Sequence, residues 1–196
     1  MKIKNVCYSG ASEGADLIFA NFAKIFGHEV MNFSFQNHIG SKEQNTIKLT
    51  ILELFEGDKQ VKAANVYLKR KYPSPLEYVN NLVRRNYFQI KYSDRIYAIG
   101  NLEENTKFVS GGTGFTVMMG VLNNIKEIYL YCQNNKRWYK FNNFDRTEGR
   151  YYFNWDEIDI NSIPNPCGKY TGIGSVDITD DGKEQIKFLY ELRNIV

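Results

Sequence analysis

The chain has 196 residues, 43% hydrophobic and 24% charged, with a formal net charge of +3, which excludes a disordered chain and favours a single α/β domain over residues 1–196. No apolar run of about 18 residues and no signal peptide is recognisable, so we expect a cytoplasmic protein without a membrane partner. The small charge makes nucleic acid an unfavoured partner, and the three widely spaced cysteines, Cys7, Cys132 and Cys167, support neither disulfides nor a zinc site.

The N-terminal segment predicts a β-α-β unit. Residues 3–9 are typical of a strand, and they lead directly into a glycine loop, Ser9 to Asp16, with the sequence SGASEGAD. The next residues carry apolar side chains at helical spacing up to Gly27, and HEVMNFSF then predicts a second strand. This order of elements predicts parallel pairing through a right-handed crossover.

The middle of the chain departs from simple alternation. Residues 40–72 predict a helical insert of two helices, IKLTILELFEG and KQVKAANVYLKRKYP, lying over the carboxyl edge of the sheet. Pro73 and Pro75 end the insert, and an amphipathic helix then leads to a third strand, Asp94 to Gly100. A second glycine loop, Ser110 to Thr116 with the sequence SGGTGFT, opens an apolar helix that precedes the strand EIYLYC.

The C-terminal segment, residues 137–196, predicts a short β-hairpin and a final helix. Between them, the glycines Gly172 and Gly174 of KYTGIGSVDITDDG are interpreted as a bulge or hairpin, with pocket closure or contact with a second subunit of a homo-oligomer as the alternatives. The chain is therefore predicted to adopt a Rossmann-like three-layer α/β fold with a mainly parallel sheet.

The two glycine loops form the predicted ligand site. Each lies where a strand gives way to a helix whose first N–H groups have no helical partner, and such groups bind phosphate. Neither loop matches the dinucleotide-binding or P-loop pattern, but two such loops flank one crevice in an open parallel sheet. The candidate ligand-binding residues of the loops are Ser9, Gly10, Ala11, Gly14, Asp16, Ser110, Gly111, Gly112, Thr113, Gly114, Phe115 and Thr116.

These loops carry a resemblance to a known superfamily. The first resembles the S-G-G-x-x-G-A-D opening of SLOG-type domains, which include the LOG phosphoribohydrolases and the DNA-processing SMF proteins, with Ala11 in place of the second glycine. The second resembles their P-G-G-x-G-T-x-x-E signature, and the resemblance covers about residues 3–132. It implies that the loops bind a nucleotide or a nucleotide derivative. Met118 stands where the enzymes carry a glutamate, and Phe115, which could stack on a base or pack under the loop, replaces a small hydroxyl residue.

Other residues are candidates from their place in the predicted elements. Arg84 or Asn86, before the third strand, could reach the crevice, whereas only one of the adjacent pair Arg84 and Arg85 can face it. Phe35 and His38 follow the second strand at the carboxyl edge and could stack on a ligand. A group in the insert, Asn65, Lys69 and Arg70, forms either a lid or solvated surface charge.

Three hypotheses about function follow. The first is a binding protein that senses or sequesters a nucleotide-derived signal, such as an ADP-ribose derivative or a cyclic nucleotide, as a conflict-system sensor or phage anti-defence sponge, with no cofactor and no metal. The second is an N-glycosidase or deoxyribosyltransferase-like enzyme acting on nucleoside monophosphates, with Glu13 or Asp16 as acid–base group. The third is an oligomeric nucleic-acid-binding module of the SMF type.

Overall fold

The computed structural model describes residues 4–38 and 45–191. The strands in these ranges are β1 (Val6–Ser9), β2 (Glu29–Ser34), β3 (Thr46–Lys48), β4 (Arg95–Gly100), β5 (Glu127–Cys132), β6 (Arg137–Thr147), β7 (Arg150–Ile158) and β8 (Lys169–Gly174). The helices are α1 (Ala15–Ile25), α2 (Ile51–Leu68), α3 (Glu77–Lys91), α4 (Gly111–Leu122) and α5 (Asp180–Glu191).

All of these strands belong to one sheet, in the order β3-β2-β1-β8-β4-β5-β6-β7. The pairs from β3 to β5 are parallel, and β6 and β7 add an antiparallel hairpin at one edge. Helices α1 and α5 pack together on one face, and α2, α3 and α4 pack together on the other. The predicted three-layer, Rossmann-like α/β fold with a mainly parallel sheet is confirmed.

The apolar pattern explains the layers. In α1, Phe19, Ala20 and Ala23 recur at helical spacing and are buried against the sheet. In β5, residues 128–132 are buried on both faces, as expected for a strand covered by helices on two sides. Cys7 and Cys132 are buried strand residues. Within the described ranges, no helix is long and apolar enough to cross a membrane.

The predicted insert over residues 40–72 is wrong in its details. In place of two helices, the chain forms strand β3 and one continuous helix, α2, which Thr50 and Glu53 begin with a capping box. Gly57 lies inside this helix, and α3 packs there so closely that a Cβ would lie 2.4 Å from the Arg84 carbonyl oxygen, so the glycine is required by packing and not by a helix end. Helix α2 packs along α3 and α4, so that the carboxyl edge is reached only after its end, at Arg70. Residues 40–44 of the insert lie outside the described residues.

The interpretation of Gly172 and Gly174 as a bulge or hairpin is also wrong. They belong to β8, a parallel strand between β1 and β4, so the sheet core extends beyond residues 3–132. A Cβ at Gly172 would lie 2.2 Å from the Phe19 ring, and one at Gly174 would lie 2.5 Å from the Ile99 carbonyl oxygen. Glycine is required here by the close packing of α1 and β4 against the strand and not by a turn.

Candidate functional site

A cavity of about 550 Å³ lies at the carboxyl edge of the sheet, where β1, β8 and β4 end. Ser12 and Asp16 line it after β1, Asn101 after β4, and Gly174 and Ser175 at the end of β8. Helix α3, the amino end of α4, and Arg70, Lys71, Tyr72 and Ser74 between α2 and α3 also contribute to the walls. Its volume falls within the range of about 300–1,000 Å³ that is typical of small-molecule sites. The strand order changes direction around β8, so the cavity occupies the switch point where open α/β sheets bind ligands.

The second glycine loop lines this cavity with its backbone. Ser110, Gly111, Gly112 and Thr113 all contribute to the wall. The first hydrogen bond of α4 runs from the Gly114 N–H to the Ser110 carbonyl oxygen at 3.3 Å, so the N–H groups of the three preceding residues lie outside the helical ladder. A Cβ at Gly112 would have no atom within 4 Å. The amino end of α4 is therefore open to an anion.

Arg70 holds the second glycine loop in place. Its guanidinium donates to the carbonyl oxygens of Val109, at 2.5 Å, and Gly111, at 2.7 Å, and it pairs with Glu103. Asn65 fixes the backbone of Arg70 by two hydrogen bonds of 2.9 and 3.0 Å. Of the predicted lid-or-surface group, Arg70 thus lies on the cavity wall, Asn65 supports it, and Lys69 is exposed at the end of α2.

The first glycine loop is folded around a protein side chain. A Cβ at Gly10 would lie 1.3 Å from Nη1 of Arg85, so the guanidinium occupies the space that the glycine leaves. Ser9 is buried, with its hydroxyl donating to the Asp16 carbonyl oxygen and accepting from the Ala11 N–H. Gly14 has a φ of 90°. Ser9, Gly10, Ala11 and Gly14, which the sequence predicts to cradle the ligand, shape the loop and do not line the cavity, whereas Ser12 and Asp16 of the same loop do.

Arg85 and Asp16 form a buried charged pair in the cavity wall. Arg85 is 3% exposed, and its Nη1 lies 3.9 Å from Oδ2 of Asp16, while its Nη2 donates to the Ser12 hydroxyl at 2.7 Å. Asp16 accepts hydrogen bonds from the Gly174 N–H and from Gln89. Burial raises the pKa of Asp16 and lowers the pKa of Arg85, and each charge opposes the shift of the other. Among the described residues, Nε and Nη1 of Arg85 have no hydrogen-bond partner.

Of the two neighbouring arginines, Arg85 lines the cavity and the predicted Arg84 does not. The Arg84 guanidinium is turned away from the cavity, to Asp58 at 3.0 Å and to the Tyr72 hydroxyl at 3.1 Å, and it also pairs with Glu77. Residues one apart on a helix diverge by about 100°, so α3 directs only Arg85 to the crevice. Asn86 does line the cavity, as expected, and donates to the Thr116 hydroxyl at 2.9 Å.

Phe35 and His38 do not line the cavity, contrary to expectation. Their rings stack on each other with centroids 4.9 Å apart, and the Ser34 hydroxyl lies 3.0 Å from Nδ1 of His38. Both are buried, and burial, with a smaller contribution from the Arg85 charge, lowers the pKa of His38 to about 4. The two rings stack on each other, and Tyr78 lies beside both, with ring centroids 5.4 Å from Phe35 and 6.3 Å from His38.

The remaining loop residues divide between cavity and core. Phe115 lines the cavity and lies 5.6 Å from the Arg70 guanidinium. Thr116 is fully buried, and Gly114 packs against Val109, so neither lines the wall. Met118 is fully buried in the core between the sheet and α4.

Glu13, the other acid–base candidate, is exposed and does not line the cavity. In the part of the chain that the structure describes, no group of three or more His, Cys, Asp or Glu residues could hold a metal ion. Comparisons with protein-family models, curated proteins and solved structures found no match.

Proposed function

We propose that this protein binds a phosphate-bearing, nucleotide-like small molecule in the cavity at the carboxyl edge of the sheet. The observation that carries the proposal is Arg85, a buried guanidinium in the cavity wall whose Nε and Nη1 lack a hydrogen-bond partner among the described residues. A buried donor without a partner costs about 1–3 kcal/mol, and more when it is charged, so such groups are typical of sites that a ligand completes.

One part of the cavity wall is suited to the phosphate of the proposed ligand, and another part is suited to its base. Arg85 and the amino end of α4 offer donors to the phosphate, with Lys71 at the same cavity adding a third positive charge to those of Arg70 and Arg85. Val79, Leu82 and Val83 of α3 and Phe115 of α4 line the cavity with apolar surface suited to a base.

Holding the ligand, without cutting it, is the favoured role. Met118 faces the core, so it offers the cavity neither an acid nor a base. The proposed role is accordingly that of a sensor or a sponge for a nucleotide-derived signal. Such a role is expected of a divergent SLOG-type member of a phage or bacterial conflict system. The two loop motifs support this placement, which is an argument by analogy of fold.

One observation favours an enzyme as the second candidate. Asp16 is a buried carboxyl group in the cavity wall, and burial raises its pKa, as in many general acids. An N-glycosidase or deoxyribosyltransferase-like reaction on a nucleoside monophosphate would use Asp16 as its acid–base group. Both carboxylate oxygens already accept hydrogen bonds, from Gly174 and Gln89, which favours a positioning role instead.

A thermal-shift screen tests the binding proposal. Purified protein is mixed with AMP, NAD, ADP-ribose and cyclic dinucleotides, and a ligand present at about 100 times its Kd stabilises by about 2.7 kcal/mol. Gly112→Leu is expected to abolish the shift without unfolding the protein, because its Cβ points into open space. Ala63→Leu, at an exposed position of α2, is the control and keeps the shift. The proposal fails if no phosphate compound shifts the melting temperature, or if the shift survives in Gly112→Leu.

Chromatography of the same mixtures separates the two candidates. A binding protein returns each nucleotide intact, whereas a glycosidase releases free base in amounts that exceed the protein. If the wild-type protein releases free base with turnover and Asp16→Asn does not, the protein is an enzyme and the sponge hypothesis is rejected.

A further inference from the structure

We propose that the solvent-exposed side of α2 is a docking surface for an acidic helix of another protein. This surface, which we call the α2 face, consists of Leu52, Phe55, Lys59, Lys62 and Val66. None of these residues lines the cavity, so the proposal does not depend on a ligand there. It is carried by the exposure of the apolar side chains, by their alignment with the lysines, and by the sign of the exposed charge.

The α2 face leaves large apolar side chains in solvent. Leu52 is 81% exposed, Phe55 57% and Val66 65%. A single exposed apolar residue is ordinary, but positions 55, 59, 62 and 66 fall within about 60° of the helix circumference at about 100° per residue. They lie opposite the buried residues Val61 and Ala64, which pack on the core. Helix α2 therefore carries a second apolar stripe that no element of the described chain covers.

The two lysines in the middle of this stripe give it a positive charge. Nζ of Lys59 lies 5.0 Å from the centroid of the Phe55 ring, and in the part of the chain that the structure describes no carboxylate pairs with this lysine. Lys62 pairs with Asp58 at 2.7 Å, but Asp58 is buried, so the ammonium group is the exposed member of the pair. Glu56 is turned to a lysine of α3.

This charge argues against a second copy of the chain as the occupant. In an antiparallel pair of α2 helices, the register that packs Phe55 on Val66 also places Lys59 on Lys62, because both pairs are centred on the same point of the helix. The register that packs Leu52 on Val66 places Lys59 on its own counterpart, and so does a parallel pair. Like charges at the centre of a contact are unfavourable.

The position of the lysines also argues against a membrane surface. A helix that lies on a membrane has a continuous apolar face, with its basic residues on the opposite, polar face. In α2 the two lysines lie between Phe55 and Val66 on the same face, so a membrane would have to bury both charges to reach the apolar residues.

An acidic helix fits the α2 face residue by residue. Positions 55, 59, 62 and 66 are spaced by four, three and four residues, so a helix with the same spacing fits in either direction. Its outer apolar residues contact Phe55 and Val66, which are about 17 Å apart along the axis at about 1.5 Å per residue. Its inner carboxylates pair with Lys59 and Lys62. The partner is therefore an acidic amphipathic helix.

Fluorescence anisotropy with two synthetic helical peptides tests the proposal on the full chain. The acidic peptide is alanine-based, with two leucines at the outer positions and two glutamates at the inner positions of this spacing. The basic peptide has lysine in place of both glutamates. We expect the wild-type protein to bind the acidic peptide at least about tenfold more tightly than the basic one at low salt, and the difference to shrink as salt is added.

Lys59→Glu is expected to weaken binding of the acidic peptide and to strengthen binding of the basic one, a reversal that loss of folding cannot produce. Phe55→Ala is expected to weaken both peptides by about tenfold, because each uses an apolar anchor there. The matched control is Lys183→Glu, an exposed lysine of α5 on the other side of the sheet, which leaves both affinities unchanged.

Equal affinity of the wild-type protein for the two peptides overturns the proposal, as does a Lys59→Glu variant that keeps the wild-type preference. Sedimentation and binding to phosphatidylserine vesicles identify the other occupants. A dimer that Phe55→Ala dissociates assigns the face to a second copy, and vesicle binding that Lys59→Glu removes, without peptide binding, assigns it to a membrane; either result overturns the proposal. All of these outcomes leave the proposed function untouched, since it is tested by nucleotide binding at the cavity.

Discussion

Asp16 and Arg85 are two buried residues of opposite charge in the cavity wall. Asp16 connects three elements, since it follows the first loop, accepts from the end of β8 at Gly174 and from α3 at Gln89, and faces Arg85. Removing one partner of a buried pair leaves the other charge uncompensated. Asp16 therefore holds the buried guanidinium of Arg85 in place at the cavity wall.

Asp16→Asn is expected to lower the free energy of unfolding by about 3 kcal/mol, measured by urea denaturation at neutral pH. The double variant Asp16→Asn with Arg85→Met is expected to recover part of this loss, because no unpaired charge then remains buried. A single variant as stable as the wild type would show that the pair is not coupled.

His38 gives the fold a pH dependence whose direction follows from its surroundings. Burial lowers its pKa from 6.5 to about 4, so the folded state favours the neutral imidazole more than the unfolded state does. The contribution of His38 is complete above about pH 6.5 and is lost as the pH falls towards 4.

As the pH falls from 6.5 to 4, the free energy of unfolding is therefore expected to fall less in His38→Gln than in the wild type. The two losses should differ by at most about 3 kcal/mol. Urea titrations of both proteins at pH 7, 5.5 and 4 give the difference directly. Two parallel curves would mean that His38 titrates normally in the folded protein.

The neighbouring arginines show where prediction from local sequence stops. The pattern predicts an amphipathic α3 and only one arginine facing the crevice, and both expectations agree with the structure. The choice between Arg84 and Arg85 depends on Asp58 and Tyr72, which attract Arg84 to the α2 side, and on the space above Gly10, which admits Arg85. Those contacts join residues far apart in sequence, so no local pattern contains them.

At the scale of elements, β8 decides the shape of the site. It lies between β1 and β4, and its carboxyl end brings Gly174 and Ser175 into the cavity beside both neighbouring strands. Its alternating glycines resemble a turn in the sequence, yet they allow the close approach of Phe19 and Ile99. The hairpin β6–β7 and helix α1 were predictable because their patterns are local, whereas the place of β8 depends on packing against distant elements.

Gly172→Ala is expected to destabilise the protein by about 1–3 kcal/mol, because the new methyl group would overlap the Phe19 ring. Gly112→Ala provides the matched control: its methyl group meets open space, and the change in stability should stay within about 1 kcal/mol. Thermal or urea unfolding of both variants measures the difference. Equal effects at the two positions would contradict the close packing of α1 on β8.

At the scale of the whole molecule, the fold places one cavity at the switch point of the sheet, with the amino end of α4 on one wall and Arg85 on another. Both glycine loops lie at the carboxyl edge of the sheet, where the sequence predicted them. The difference between the two loops was not predictable, because the Arg85 guanidinium occupies the space beside Gly10 in the first loop, whereas Gly112 in the second loop faces open space.

An anomalous-scattering measurement on crystals soaked in sodium tungstate tests the central claim most directly, because tungstate is a tetrahedral oxyanion like phosphate. The strongest anomalous peak is predicted in the cavity, within hydrogen-bonding distance of Arg85 or of the N–H groups of Gly112 and Thr113. Gly112→Leu should lose that peak and keep those elsewhere. Tungstate bound only at surface lysines, with the cavity empty at saturating concentration, would contradict an anion site at this edge of the sheet.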